Sequence, residues 1–337
     1  MASYKEIHGN NIPIRSADPS NPIVGEIWYN STTNLLKGFI SRSASWSTTP
    51  STSRSYTGAG FGNNAGAVIF GGAGGSPAPN PVSNATEVYD GSSWTSGSTY
   101  PFSMRDAAGT GLLSSGLGIC GHGPGGPSTT CNEWTGSSWT GIPANPTPLR
   151  SNAAFGVETA AVNFGGGEGA GETTVGKTQE YNGSSWSDSN AMNTGRKNCG
   201  GTGIITAGVA GGGSGYPGVP EPNQGDLCEE YDGTCWSNTN TLNNKRNSEA
   251  GMTGTQANSI IYGGSHPTGN TTNTESYDGT CFSVISGATT PISGGTSVQG
   301  NGSTSLGTAL YVRAAPSGKG ACEFTAPGPA TVTVSSS

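Results

Sequence analysis

Glu87-Val88-Tyr89-Asp90-Gly91-Ser92-Ser93-Trp94 returns in close form as Glu180-Tyr181-Asn182-Gly183-Ser184-Ser185-Trp186 and as Glu230-Tyr231-Asp232-Gly233-Thr234-Cys235-Trp236. The aromatic ending each phrase belongs to a longer series: Trp46, Trp94, Trp139, Trp186, Trp236 and Phe282, spaced 45 to 50 residues apart. Tyr89, Tyr181, Tyr231 and Tyr277 each precede one of them by five residues. A period in this range marks one supersecondary unit used repeatedly, each copy burying its apolar face on the next.

Residues 54–94 show one unit. Arg54 opens it, and a glycine-rich stretch around Gly58–Gly62 follows. The apolar run Ala67-Val68-Ile69-Phe70 stops at Gly71-Gly72, and a Pro/Asn loop leads to Thr86-Glu87-Val88-Tyr89. Asp90-Gly91 predicts a type I′ turn, in which both central residues take positive φ, so the last two strands form a hairpin. Four strands in this length, with no helical periodicity, is the size of a β-propeller blade. The opening arginine returns as Arg105, Arg150, Arg196 and Arg246. The apolar run returns at residues 117–120, 162–166, 204–207, 260–264 and 310–312, so Ile204-Ile205-Thr206-Ala207 is expected to be a strand. First strands are rich in Ala and Gly, which suits close backbone approach around one axis. The Tyr/Trp pair reads as a wedge between adjacent blades, and the arginine as reaching a neighbouring acid or a loop carbonyl. Residues needed once per blade are structural rather than catalytic.

Six units open near residues 54, 105, 150, 196, 246 and 295. The last lacks the turn and the tryptophan, while Trp46 stands alone near the start. The expected fold is therefore an all-β propeller over residues 33–325, closed by an N-terminal strand carrying Trp46. Six blades are expected. Seven is the alternative, because Leu35-Leu36-Lys37-Gly38 also resembles a third strand. Pro13, Pro19 and Pro22 make residues 1–32 an extended arm, with Trp28 and Tyr29 as candidate docking residues. Residues 326–337 form a tail with a possible strand at 331–334.

Only 10% of residues are charged, the net charge is −7, and no basic run exists, which argues against a nucleic-acid groove. No stretch approaches the ~20 apolar residues of a membrane helix. No apolar segment follows Met1-Ala2-Ser3-Tyr4-Lys5-Glu6, so a secretory signal is not expected. Of the seven cysteines, Cys131, Cys228 and Cys322 read as filling one repeated slot, and Cys235 and Cys281 replace the second serine of the turn. They read as small packing groups, and disulfide pairing among the seven is the alternative that spacing leaves open.

No enzyme, metal or cofactor is expected. His8, His122 and His266 lie in the arm and in different blades, unlike the convergent ligands of a copper oxidase. Gly165-Gly166-Gly167-Glu168-Gly169 lacks the Lys-Ser/Thr of a phosphate loop, and no GxSxG elbow occurs. The long loops near 73–83, 121–130, 166–177, 211–227 and 265–273 would share one face, where a rigid scaffold carries recognition.

The double glycines and the Tyr…Trp spacing resemble kelch repeats over residues 54–325. The phrase Asp18-Pro19-Ser20-Asn21-Pro22, followed by Gly25-Glu26-Ile27-Trp28-Tyr29-Asn30-Ser31-Thr32-Thr33-Asn34-Leu35-Leu36-Lys37-Gly38, resembles the N-terminal segment of kelch-like virion proteins of tailed bacteriophages, especially marine cyanophages. That resemblance implies a tail, fibre or particle-surface component, released by lysis. Its arm would dock to other virion proteins and its loops could meet a host receptor or glycan. Self-association as a homo-oligomer is compatible with this reading.

Overall fold

Every regular element among the described residues of the computed structural model is a β-strand. The structure describes residues 12–42, 44–52, 58–72, 82–171, 173–218, 220, 223–248, 250–266, 269–285, 287, 296–298, 308–315, 318–325 and 328–333. Arg54 and His8 lie outside them. The chain divides into one unit of residues 45–325 and another of residues 1–44 with 326–337. The expected boundary at 32/33 therefore moves to 44/45.

The larger unit contains, among the described residues, six four-stranded antiparallel sheets. Sheet I comprises Ala59–Asn63, Gly66–Phe70, Thr86–Tyr89 and Trp94–Ser96. Sheet II comprises Ala108–Leu112, Ser115–Ile119, Cys131–Trp134 and Trp139–Ile142. Sheet III comprises Ala153–Val157, Ala160–Phe164, Thr178–Tyr181 and Trp186–Ser189. Sheet IV comprises Gly200–Ile204, Ala207–Gly211, Cys228–Tyr231 and Trp236–Asn238. Sheet V comprises Gly251–Thr255, Asn258–Tyr262, Thr274–Tyr277 and Phe282–Ile285. Sheet VI orders Thr296–Val298, Thr308–Ala315, Gly318–Thr325 and Ser45–Thr49, so its fourth strand comes from the start of the unit. The first strand of each sheet lies against the first strand of the next, and that of sheet VI also lies against that of sheet I.

Glycine fixes the first hairpin. Gly62, Gly111, Gly156, Gly203 and Gly254 occupy one position, with φ between +108° and +132°. A Cβ there would come within 2.3–2.6 Å of a second-strand carbonyl oxygen. In sheet IV this glycine sets the turn at Ile205-Thr206, so the expected strand 204–207 is instead the hairpin bend and the second strand begins at Ala207.

The outer hairpin departs from the expected type I′ turn. Tyr89 pairs directly with Trp94, leaving four loop residues, of which only Gly91 has positive φ. The Asp90 carboxylate accepts the amides of Ser92 and Ser93, both at 2.8 Å. Asn182, Asp232 and Asp278 close their turns in the same way. The side chain replaces a backbone turn, which lets Asp or Asn serve while only the glycine is left-handed.

The core lies between sheets. In each outer hairpin the third-strand aromatic meets the fourth-strand aromatic, with ring centroids 4.5–5.4 Å apart: Tyr89/Trp94, Trp134/Trp139, Tyr181/Trp186, Tyr231/Trp236, Tyr277/Phe282 and Phe324/Trp46. The preceding sheet covers each pair, and the coverings alternate. Phe61 and Phe70 of sheet I fill the junction with sheet II. Phe155 and Phe164 fill III/IV, and Tyr262 reaches Trp46 at V/VI. At these three junctions the indole donates to a threonine of the previous sheet: Trp139 to Thr86, Trp236 to Thr178 and Trp46 to Thr274, at 2.9–3.0 Å. At the other three the threonine is replaced by Cys131, Cys228 or Ala321, among aliphatic neighbours. A second period of two sheets thus overlies the first. Cys322 falls one residue past this slot, because Phe324 rather than Thr325 pairs with Trp46.

A further rule links neighbours. The Tyr277 hydroxyl donates to Glu230 Oε1 at 2.9 Å, and that of Tyr231 donates to Glu180 Oε1. Burial, then the charges of Glu133 and Glu323, push up the hydroxyls of Tyr181 and Tyr89. Where the next sheet carries Trp134 or Phe324 instead of Tyr, the acid is replaced by Val88 or Ser276.

The smaller unit is one sheet in the order Ile14–Arg15, Ile27–Asn30, Leu35–Arg42, Gly328–Thr333. Among residues 12–32, the described part of the expected extended arm, two strands join this sheet, and Leu35-Leu36-Lys37-Gly38 pairs with 27–30, its Lys37 and Gly38 also with Thr333 and Val332, rather than entering the repeat. Trp28 is fully buried. Asp18 joins it: its Oδ1 accepts Trp28 Nε1 at 3.0 Å and Asn30 Nδ2 at 2.8 Å, and its Oδ2 meets Lys37 Nζ at 2.6 Å. Those contacts, led by Lys37, hold the Asp18 carboxyl down to about 2, against an ordinary 3.8. Because the folded value is the lower one, the contribution is complete above about pH 4 and fades as pH falls towards 2. The Trp28 indole N–H resonance of the folded protein should therefore shift with a midpoint near pH 2, and Asp18→Asn should remove that step.

Candidate functional site

The loops joining second to third strands gather at the end of each sheet where the first strand begins. Five dipeptides launch them: Gly71-Gly72, Cys120-Gly121, Gly165-Gly166, Gly212-Gly213 and Gly263-Gly264. All ten residues have positive φ, Cys120 included. The second residue of the first four donates its amide to the segment entering the following sheet, at the carbonyls of Met104, Leu149, Arg196 and Arg246, 2.7–2.9 Å away. Two left-handed residues in a row are needed to aim that amide outward, and glycine takes them without strain.

These bonds align the entry segments residue by residue and separate the arginines into two sets. Arg196 and Arg246 share a position with Met104 and Leu149. Arg105 and Arg150 lie one step later, where sheet IV has Lys197 and sheet V has Asn247.

The first set is buried. Arg196 Nη1 lies 3.2 Å from Glu229 Oε1, and both side chains are essentially fully buried. Glu229 also accepts the amides of Asn193 and Thr194. Arg246 Nη2 lies 3.2 Å from Glu275 Oε1, and its Nη1 donates to the carbonyls of Gly263 and Asn273 at 2.7 and 2.9 Å. Glu275 accepts the amides of Asn243 and Asn244. Burial pulls the Arg246 guanidinium downward, while Glu275 opposes it. Where the entry residue is Met104 or Leu149, the third-strand partner is an amide, Asn132 or Gln179. Charge is therefore matched to charge and apolar to neutral, and the acid that receives the arginine stands two residues before the tyrosine.

The second set is partly exposed. Arg105 Nε and Arg150 Nη1 lie 3.8 and 3.9 Å from Asp106 Oδ2. His122 pairs by backbone with Arg105, and its Nδ1 has no hydrogen-bond partner among the described residues. Lys177 meets Glu168 at 3.0 Å, and Lys245 meets Asp226 at 4.0 Å.

Among the described residues no cluster of His, Cys, Asp or Glu could hold a metal ion, and no helix is long and apolar enough to cross a membrane. The cysteines described are free thiols; Cys120, Cys131, Cys199, Cys228 and Cys322 are buried, and Cys235 and Cys281 are exposed. At the opposite end of sheets I and II, an open groove of 660 Å³ is lined by Asn63, Leu112, Leu113, Thr135 and Ser137. No protein-family model matches this chain, and no curated protein is similar to it.

Removing one partner of a buried ion pair strands the other, at about 3–5 kcal/mol. Arg246→Leu or Glu275→Gln alone should lower unfolding stability by roughly that amount. The double variant R246L/E275Q installs the Leu149/Gln179 combination of sheet III and should recover more than half of the loss in urea unfolding. A double variant as unstable as the singles combined would contradict the pairing.

Proposed function

We propose that the chain is a non-enzymatic structural and adhesion component of a phage virion, with a six-bladed propeller as its body and the smaller sheet unit as its docking element. The six-bladed reading is supported by the first strands, which run from sheet I to sheet VI and back to sheet I. It is also supported by Trp46, which joins the outermost strand of sheet VI to Thr274 of sheet V.

The observation carrying the virion role is the phrase spanning Asp18–Gly38. It resembles the N-terminal segment of kelch-like virion proteins, and here it builds a unit of its own together with the C-terminal strand. That sheet presents apolar groups to solvent: Ile14, Ile27 and Ile40 are 74%, 47% and 42% exposed. By register, Ile14 and Ile27 share the face of Tyr29, Leu36 and Ile40. Exposed apolar faces of this kind mark contact surfaces. Trp28, by contrast, is fully buried, with its indole N–H on Asp18.

Particles assembled with a chain lacking residues 1–44 and 326–337 should contain none of it, while the remaining chain stays folded. Normal incorporation would remove the docking role. A host-receptor or glycan-binding module is the second reading, favoured by the long loops gathered at one end of the sheets.

A further inference from the structure

The outer turns of the sheets differ in the residue that precedes their glycine. Asp90-Gly91, Asp232-Gly233 and Asp278-Gly279 stand there in sheets I, IV and V, and Thr135-Gly136 in sheet II. Sheet III alone among these carries a carboxamide, in Asn182-Gly183. The chain's other Asn-Gly step, Asn301-Gly302, lies outside the described residues.

Four donors converge on Asn182 Oδ1. The amides of Ser184 and Ser185 reach it at 3.0 and 2.8 Å, and their hydroxyls at 2.9 and 3.4 Å. Residues 182–185 are all exposed, so water reaches the turn. Gly183 has φ +88°, and among the described residues its amide donates to no group. Having no side chain, it leaves that nitrogen open to solvent and base. A free backbone nitrogen thus adjoins a carboxamide whose oxygen is held by four donors. Donors fixed in this way stabilise negative charge that develops on the oxygen during attack at its carbon.

We propose that Asn182 is a self-modification site, converted to aspartate by attack of the Gly183 nitrogen on its side chain. Hydroxide takes the Gly183 amide proton, the nitrogen bonds to Cγ, and Oδ1 becomes an oxyanion facing its four donors. The Cγ–Nδ2 bond then breaks, and ammonia leaves with a proton from water. A second water opens the five-membered imide at Cγ, the Gly183 nitrogen recovers its proton, and a carboxylate remains. The net change turns one carboxamide and one water into one carboxylate and one ammonium ion.

The repeat already accommodates the product. In sheet I the Asp90 carboxylate takes the amides of Ser92 and Ser93 in the same geometry. The Ser92 hydroxyl, then the amides of Ser93 and Ser92, hold Asp90 down to about 2. The amides of Cys235 and Thr234 hold Asp232 down, and those of Cys281 and Thr280 do so for Asp278. These acids are ionised near neutral pH, and a carboxylate resists the neighbouring nitrogen, so the reaction belongs to sheet III. It turns that hairpin into the form its sisters carry and takes the net charge of −7 one unit further negative. The inference goes beyond the virion reading and does not rest on it.

The test is ageing of the full chain near neutral pH in water enriched in heavy oxygen, both folded and in guanidinium chloride. Digestion after Lys177 and Arg196 then isolates residues 178–196 for fragmentation by mass spectrometry. Heavy oxygen should enter at residue 182 about threefold to tenfold faster in the folded chain than in the unfolded one. S184A/S185A, which removes the two hydroxyl donors, should slow the folded rate by a similar factor and leave the unfolded rate unchanged. N182D should keep the parent's unfolding midpoint. Should S184A/S185A fail to fold, S184A alone and the folded-to-unfolded ratio of the parent still decide the matter. A folded rate no faster than the unfolded one, indifference to loss of the hydroxyls, or an N182D chain that unfolds earlier would each overturn the proposal.

Discussion

A four-stranded sheet with an aromatic pair on its outer hairpin cannot bury that pair by itself. Among the described residues the preceding sheet supplies part of the cover of each pair. The two-faced sheet is therefore the physical constraint behind everything else. Among the described residues, each of five buried clusters spans two successive sheets, so stability grows by junctions rather than by one central core. Glycine-rich first strands follow from the same constraint, because only small residues let neighbouring sheets approach closely enough for the aromatic pairs to be covered. A glycine-poor first strand would separate the sheets and leave the rings wet.

The junctions are specified by paired choices. Tyrosine in one sheet goes with glutamate in the one before. Tryptophan at alternate junctions goes with threonine. A buried entry arginine goes with a buried glutamate, and an apolar entry residue goes with an amide. Each pair sets charge against charge or neutral against neutral, where a mismatch would cost about 1–3 kcal/mol per buried polar group and more for a charge. The alternation of aromatic and aliphatic junctions gives the unit an underlying order of three two-sheet modules.

The all-β character and the repeat unit were legible because aromatic spacing and turn glycines are local signals. The solitary Trp46 pointed to the pairing of residues 45–49 with 318–325 because every other outer aromatic already had a partner strand. The arginines misled, since a one-residue difference between Arg150 and Arg196 is invisible in spacing yet moves the side chain from the surface to a buried glutamate. Ile204-Ile205 misled through composition alone, because the φ of Gly203 places the bend there. The role of the Asp18 loop was hidden because proline-rich stretches read as extended, while a single carboxylate collecting Trp28, Asn30 and Lys37 is a tertiary fact. The shared position of Arg105, Arg150 and Lys197 emerges only when loop hydrogen bonds align the entry segments.

The last junction repeats the others, with Glu323 beside Tyr89 and Asn64 and the first strand of sheet VI against that of sheet I. An experimental density map of the intact protein tests this most directly. It should show six sheets around one axis, with Ser45–Thr49 as the outer strand of the sixth and Trp46 over Tyr262. Density for an open array, with residues 45–49 paired elsewhere or a gap between 296–298 and 59–63, would contradict it.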